Sequence, residues 1–205
     1  MRRIIVIDGG LAGLTAAVRL AGKTEVIAID SRPRLGGQIL TERHGALTIV
    51  RGAERFVFRS EAVPRLAADV RIGDDVIGQS AMLSYGFDGE ALRVLAPGQA
   101  AAFQAFQVAP SDLGQGIRSF RHGMGSLVSA LQAHLHGRVD VRTGTTASRV
   151  ELREPGGCRV LVGDDAIDVH GVVVATDARS AASLLASVEP SAAGLATAHT
   201  LSSSP

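Results

Sequence analysis

Short β-branched runs closed by glycine alternate, along this chain, with alanine- and leucine-rich stretches at helical spacing. Residues 3–7 (Arg-Ile-Ile-Val-Ile) form the first run, apolar from Ile4 to Ile7 as a strand buried on both faces must be. Gly9 and Gly10 break it, Leu11 to Leu20 comes next at helical spacing, and Gly22 marks its end. Residues 25–30 are a second apolar run that closes on Asp30. Strand, glycine turn, helix and strand in this order predict a βαβ unit with a right-handed crossover.

Beyond Gln38 the pattern is less regular. Leu47 to Val50 predicts a short strand, and Ala62 to Val70 a helix with Pro64 in its first turn. Met82 to Tyr85 and Ala91 to Leu95 predict a hairpin turning at Asp88-Gly89. Ala96 to Pro110, rich in Ala and Gln, reads as a helix or a linker. Periodicity returns at Ser126 to Leu135, where Leu127, Val128, Leu131 and Leu135 share one helical face. A strand is predicted at Val139 to Arg142. Three runs (Ala147 to Leu152, Cys158 to Val162, Ala166 to Val169) are separated by Pro/Gly/Asp turns and predict a β-meander. Gly171 to Ala175 is again a strand of the buried parallel kind, succeeded by a helix over Arg179 to Ala186 and a polar tail.

Composition narrows the chemistry. With 46% apolar and 20% charged residues among 205, the chain can bury a core. Its formal charge is +1 and its arginines are scattered, so nucleic acid is not an expected partner. The single cysteine, Cys158, excludes an internal disulfide framework and reads as a small strand residue. No run reaches the roughly 18 apolar residues of a membrane helix, and Met1-Arg2-Arg3 leads into too short an apolar run for a signal peptide. A cytoplasmic location is expected. His44, His122, His134 and His136 show no metal-ligand spacing, so no metal site is expected. No serine sits in a nucleophile elbow, and no catalytic acid or base is nominated.

The site with chemical content is the first strand-to-helix turn, Ile7-Asp8-Gly9-Gly10-Leu11-Ala12-Gly13. Gly10 and Gly13 match the second and third glycines of G-x-G-x-x-G. There a bare backbone lets a pyrophosphate reach the amides and positive dipole end of a helix. Asp30 lies 20 residues after Gly10, where a carboxylate is placed for the adenosine ribose. Asp8 stands where the first glycine belongs. Aspartate tolerates left-handed backbone better than most residues, but its charge opposes a diphosphate.

Asp30-Ser31-Arg32-Pro33-Arg34-Leu35-Gly36-Gly37-Gln38 resembles the acid-then-R-x-G-G segment of the flavin amine oxidase superfamily, which holds porphyrinogen oxidases, monoamine oxidases and carotenoid desaturases. Three further segments are similar to porphyrinogen oxidases: His44 to Phe56, with Gly52 and Phe56 in register; Phe120 to Val128; and Thr143-Gly144-Thr145 through Arg149-Val150. Val172 to Thr176 resembles the A-T strand end shared across the superfamily. The resemblance implies an α/β fold, a Rossmann-like FAD/NAD(P)-binding parallel sheet with an inserted β-meander and a reduced α+β substrate-domain portion. Its expected segments are 1–40 (βαβ), 41–120 (partial substrate domain), 121–190 (cofactor domain continued) and 191–205 (tail).

The cofactor the resemblance implies is FAD. Gly9, Gly10, Leu11, Ala12 and Gly13 would cradle pyrophosphate, and Asp30 and Ser31 would lie at the ribose. Arg34, Gly36, Gly37 and Gln38 would flank the diphosphate, Gly52 and Ala53 the flavin, and the Val150 main chain the adenine. The implied reaction is oxidation of a porphyrinogen by O2 in heme biosynthesis. Alternatives are an amine or polyene substrate, or a non-catalytic FAD- or ADP-binding remnant that serves a partner subunit or a second copy. A C-terminal flavin-contacting segment and a helical insert near residues 96–120 are not recognisable, so the chain reads as a shortened family member.

Overall fold

A computed structural model describes residues 1–57, 60–78, 83–96, 99 and 117–197. In chain order the strands and helices begin with β1 (Arg3–Ile7), α1 (Leu11–Leu20), β2 (Glu25–Asp30), β3 (Thr41–His44), β4 (Leu47–Val50) and β5 (Phe56–Val57). Next come α2 (Ala62–Asp69), β6 (Val76–Gly78), β7 (Tyr85–Phe87), β8 (Leu92–Val94), β9 (Ile117–Phe120) and α3 (Gly125–Leu135). The chain continues through β10 (Asp140–Thr143), β11 (Ala147–Leu152), β12 (Cys158–Val162), β13 (Asp165–Val169), β14 (Gly171–Val174) and α4 (Ala178–Leu185). They fall into two compact units, Met1–Leu40 with Leu127–Pro205, and Thr41–Ser126.

The first unit is built on a parallel sheet of order β10-β2-β1-β14. Its central strands are apolar on both faces because both faces are covered. Ile5 and Ile7 of β1, with Ile27 and Ile29 of β2, join one core with Val150, Val160, Val162 and Val169 of the meander and Leu184 of α4. On the other face α1 buries Gly13, Leu14, Ala17 and Val18. Each large aliphatic buried this way contributes about 1.5–3 kcal/mol of transfer free energy. The meander β11-β12-β13 is antiparallel, with Val150 opposite Val160 and Val160 opposite Ile167. Asp177 caps α4, its carboxylate accepting from the Arg179 and Ser180 amides and the Ser180 hydroxyl, and those bonds hold its carboxyl below the usual range.

The second unit holds the sheet β5-β9-β6 and two hairpins, β3-β4 and β7-β8. Phe56 and Phe120 pack with ring centroids 6.1 Å apart. The amide of Gly125, in the first turn of α3, donates to Thr41 Oγ1 at 2.9 Å from 84 positions downstream. Thr41 thus does at long range what a local cap does elsewhere. Thr41→Val keeps the shape, removes the acceptor, and is expected to cost about 1 kcal/mol in a denaturant titration.

Two expectations shift, and others fall outside the described residues. Phe87, beyond the expected strand Met82 to Tyr85, belongs to β7; the hairpin turns over Asp88 to Ala91, where Asp88 Oδ1 accepts from the Glu90 and Ala91 amides. Met82 and most of Ala96 to Pro110 lie outside the described residues. The tail expected from residue 191 is helical over Pro190–Thr197, with Ala192 buried, because alanines and a leucine continue the apolar pattern. No helix among the described residues is long and apolar enough to cross a membrane.

Candidate dinucleotide site

The ends of β1, β2, β10 and β14 meet at the carboxyl edge of the parallel sheet, where ligands bind in open α/β folds. The Ala175 amide donates to Ile7 O at 2.9 Å, and the Gly144 and Thr145 amides donate to Arg32 O and Asp30 O at 2.8 and 2.9 Å. The chain leaving β1 turns sharply at Asp8, whose φ is +83°. This is the left-handed conformation for which glycine is the default residue. Aspartate at position 8 therefore takes a backbone conformation that glycine adopts more readily.

The glycines after Asp8 are packed without room for side chains at two of three positions. A Cβ at Gly13 would lie 1.8 Å from Asp8 O. A Cβ at Gly9 would meet Leu35 Cδ2 at 2.2 Å and Asp30 Oδ2 at 2.9 Å. Gly10 is the N-cap of α1, with no side-chain capping bond, so the cap leaves the first amides of the helix to other partners.

The loop after β2 closes on this turn. The Gly36 amide donates to Gly9 O at 2.8 Å. Gly37, at φ +57°, has its Cβ place 3.1 Å from Gly10 Cα. Leu11, Ala12, Ser31, Arg34 and Gln38 lie on the same turn and loop. Arg34 turns inward, its guanidinium donating to Leu35 O, Ile39 O and Gly37 O. It holds the loop's shape rather than presenting a free cation.

Asp30 is 1% exposed. Its Oδ2 accepts from the Gly9 amide at 3.0 Å and its Oδ1 from the Arg32 amide at 2.8 Å. Both carboxylate oxygens are thus engaged by main-chain amides, one of the glycine turn and one of the loop after β2. Val150 has its side chain in the core, and its carbonyl accepts from Ser187 Oγ at 2.7 Å. Gly52 and Ala53 are exposed residues between β4 and β5 in the other unit.

The sequence alone does not nominate Arg32. Its Nη2 lies 3.3 Å from Asp8 Oδ1 and its Nε 3.5 Å from Asp30 Oδ1. The available signal is an arginine two residues past the acid that ends β2. Burial and the charge of Asp30 push the Asp8 carboxyl above its usual range, against the pull of Arg32. Among the described residues no group of His, Cys, Asp and Glu could hold a metal ion.

Comparison with known proteins agrees with this geometry. A family model described as an NAD(P)-binding Rossmann-like domain matches residues 6–70. A coproporphyrinogen III oxidase of Mycobacterium leprae is 38% identical over 77 residues, 36% of this chain and 17% of that protein. One from Mycobacterium bovis is 32% identical over 100 residues, 47% of this chain and 22% of its own length. The crystal structure of a putative protoporphyrinogen oxidase from Exiguobacterium superposes with a TM-score of 0.74 at 16% identity, covering 94% of this chain and 63% of that one. The chain has the fold of an NAD(P)-binding Rossmann-like domain. The chain spans about a fifth of the curated relatives' length where they match, and just under two thirds of the solved structure.

Proposed function

We propose that this chain is a member of the flavin amine oxidase superfamily, binds the ADP half of FAD at the Gly9–Gly13 turn and serves a FAD-dependent oxidation of a porphyrinogen. The carrying observation is the double glycine contact: Gly13 packed on Asp8 O and Gly37 packed on Gly10 Cα. Glycine lets these main-chain segments approach one another this closely at the head of α1.

The residues present fit the group. The amides of Leu11, Ala12 and Gly13 at the helix start would take the diphosphate, helped by the positive end of the helix dipole. Asp30 and the Gly36 amide hold the turn in shape, so the amides need no rearrangement on binding. Bound FAD would supply the acceptor for hydride equivalents, and O2 would reoxidise it. The porphyrinogen substrate rests on the relatives' names and on the three porphyrinogen-oxidase-like segments.

The test is direct. The protein purified with added FAD should elute with the flavin's visible absorption bands, and should oxidise coproporphyrinogen or protoporphyrinogen to a fluorescent porphyrin. A colourless protein whose melting temperature ignores FAD would remove the cofactor assignment. A yellow protein that leaves both porphyrinogens unoxidised but turns over an amine would move the substrate class.

A further inference from the structure

Asp8 combines three features that the dinucleotide reading alone does not require. Its backbone sits at φ +83°, a conformation aspartate accepts at some cost. Its Oδ2 is 3.2 Å from the position a Gly10 Cβ would take, so the carboxylate covers the glycine a phosphate must approach. Its Oδ1 is held by Arg32 Nη2 at 3.3 Å, and that same Nη2 lies 3.7 Å from the Cβ place of Gly37. Carboxylate and guanidinium therefore lie together between the two glycine segments. The first turn of α1 carries no acidic residue of its own, so the anion that meets its head is Asp8.

Resting on the proposed FAD site, we propose that Asp8 is a built-in competitor for the diphosphate: its carboxylate stands at the head of α1, Arg32 clamps it there, and a diphosphate enters as Asp8 takes up a proton and Arg32 turns to the incoming anion. Protonated, Asp8 becomes a donor to a phosphate oxygen instead of a repelling charge. The ionised groups facing it are Arg32 and Asp30, both from the end of β2 and its loop. On the β14 side the nearest acid in sequence, Asp177, is turned to the cap of α4. Asp30, engaged by two main-chain amides, favours a neutral Asp8, as does burial. Affinity should therefore fall as pH rises through the Asp8 midpoint.

The test is titration with FAD, whose diphosphate does not itself ionise near neutrality, monitored by flavin fluorescence from about pH 5.5 to about pH 8.5. Wild-type affinity should fall by up to about tenfold per pH unit above the Asp8 midpoint, as one proton uptake dictates. Asp8→Asn and Asp8→Gly should show flat profiles and bind at least about tenfold more tightly than wild type near pH 8. Adding Arg32→Gln to Asp8→Gly should weaken FAD by about tenfold, because the freed arginine serves the phosphate. Equal affinities and equal pH profiles in wild type and both Asp8 variants would overturn the competitor and leave the FAD site standing. If none of the three binds FAD at any pH while all melt cooperatively, both readings fall.

Discussion

Gly13→Ala should destabilise the first unit by about 3 kcal/mol and abolish nucleotide binding, although alanine is the better helix former. Intrinsic propensity favours the substitution by up to about 1 kcal/mol. Against this, the new methyl would lie 1.8 Å from Asp8 O, 3.0 Å from Asp8 C and 3.4 Å from Val6 Cγ1. The first two are backbone atoms at the end of β1, and Asp8 is tied to β2 by its amide bond to Ile29 O at 2.9 Å. They cannot yield unless α1 lifts off the sheet, and overpacking of this kind outweighs propensity. That loss corresponds to a fall of roughly 10 °C in melting temperature for a chain of this size. Gly10→Ala is the control in the same turn. Gly10 has φ −66° and its methyl would meet only the tip of Asp8 at 3.2 Å, so the fold should tolerate it. If both variants melt within about 2 °C of the parent, α1 is not seated on the end of β1.

The elements legible in sequence are those whose pattern is imposed by burial on two faces. β1, β2 and β14 read correctly because parallel strands covered on both sides must be apolar throughout. α3 reads correctly because Leu127, Val128, Leu131 and Leu135 are all buried on one stripe. β3 is illegible for the opposite reason. Thr41-Glu42-Arg43-His44 has no apolar alternation, and its strand character comes from β4, with Thr41 opposite Val50 and His44 opposite Leu47. β5, β6 and β9 are two to four residues long, too short to show a period, and exist by pairing across the sequence.

The site shows the same division. The glycine turn and its acid are readable because close packing admits so few residue types. The partnership of Asp8 with Arg32 is not, since it depends on how the loop after β2 folds back. Arg34 draws attention in that loop for its place in a motif. The structure gives it three carbonyls of its own loop, while Arg32, two residues earlier, faces the turn.

Asp30→Ala should cost about 3 kcal/mol, nearly as much as the glycine substitution, and by a different route. The carboxylate is buried and accepts two main-chain amides, Gly9 at 3.0 Å and Arg32 at 2.8 Å. Removing it leaves the Gly9 amide buried without an acceptor and lets the two glycine segments drift apart. Bonds to a charged acceptor are worth about 1.5–3 kcal/mol each, and an orphaned buried donor adds its own desolvation cost. Asp30→Asn separates shape from hydrogen bonding. Asparagine fills the same space, but its NH2 must face one of the two amides, donor against donor, so it should recover less than half of the loss. Hydrogen exchange supplies a readout that a filled cavity would not move: the Gly9 amide should lose protection in Asp30→Ala, and either the Gly9 or the Arg32 amide in Asp30→Asn, while amides in β12 keep theirs. Full recovery of stability in Asp30→Asn would show that Asp30 serves only to fill volume, and the turn would then be held by main-chain bonds such as Gly36–Gly9 and Asp8–Ile29.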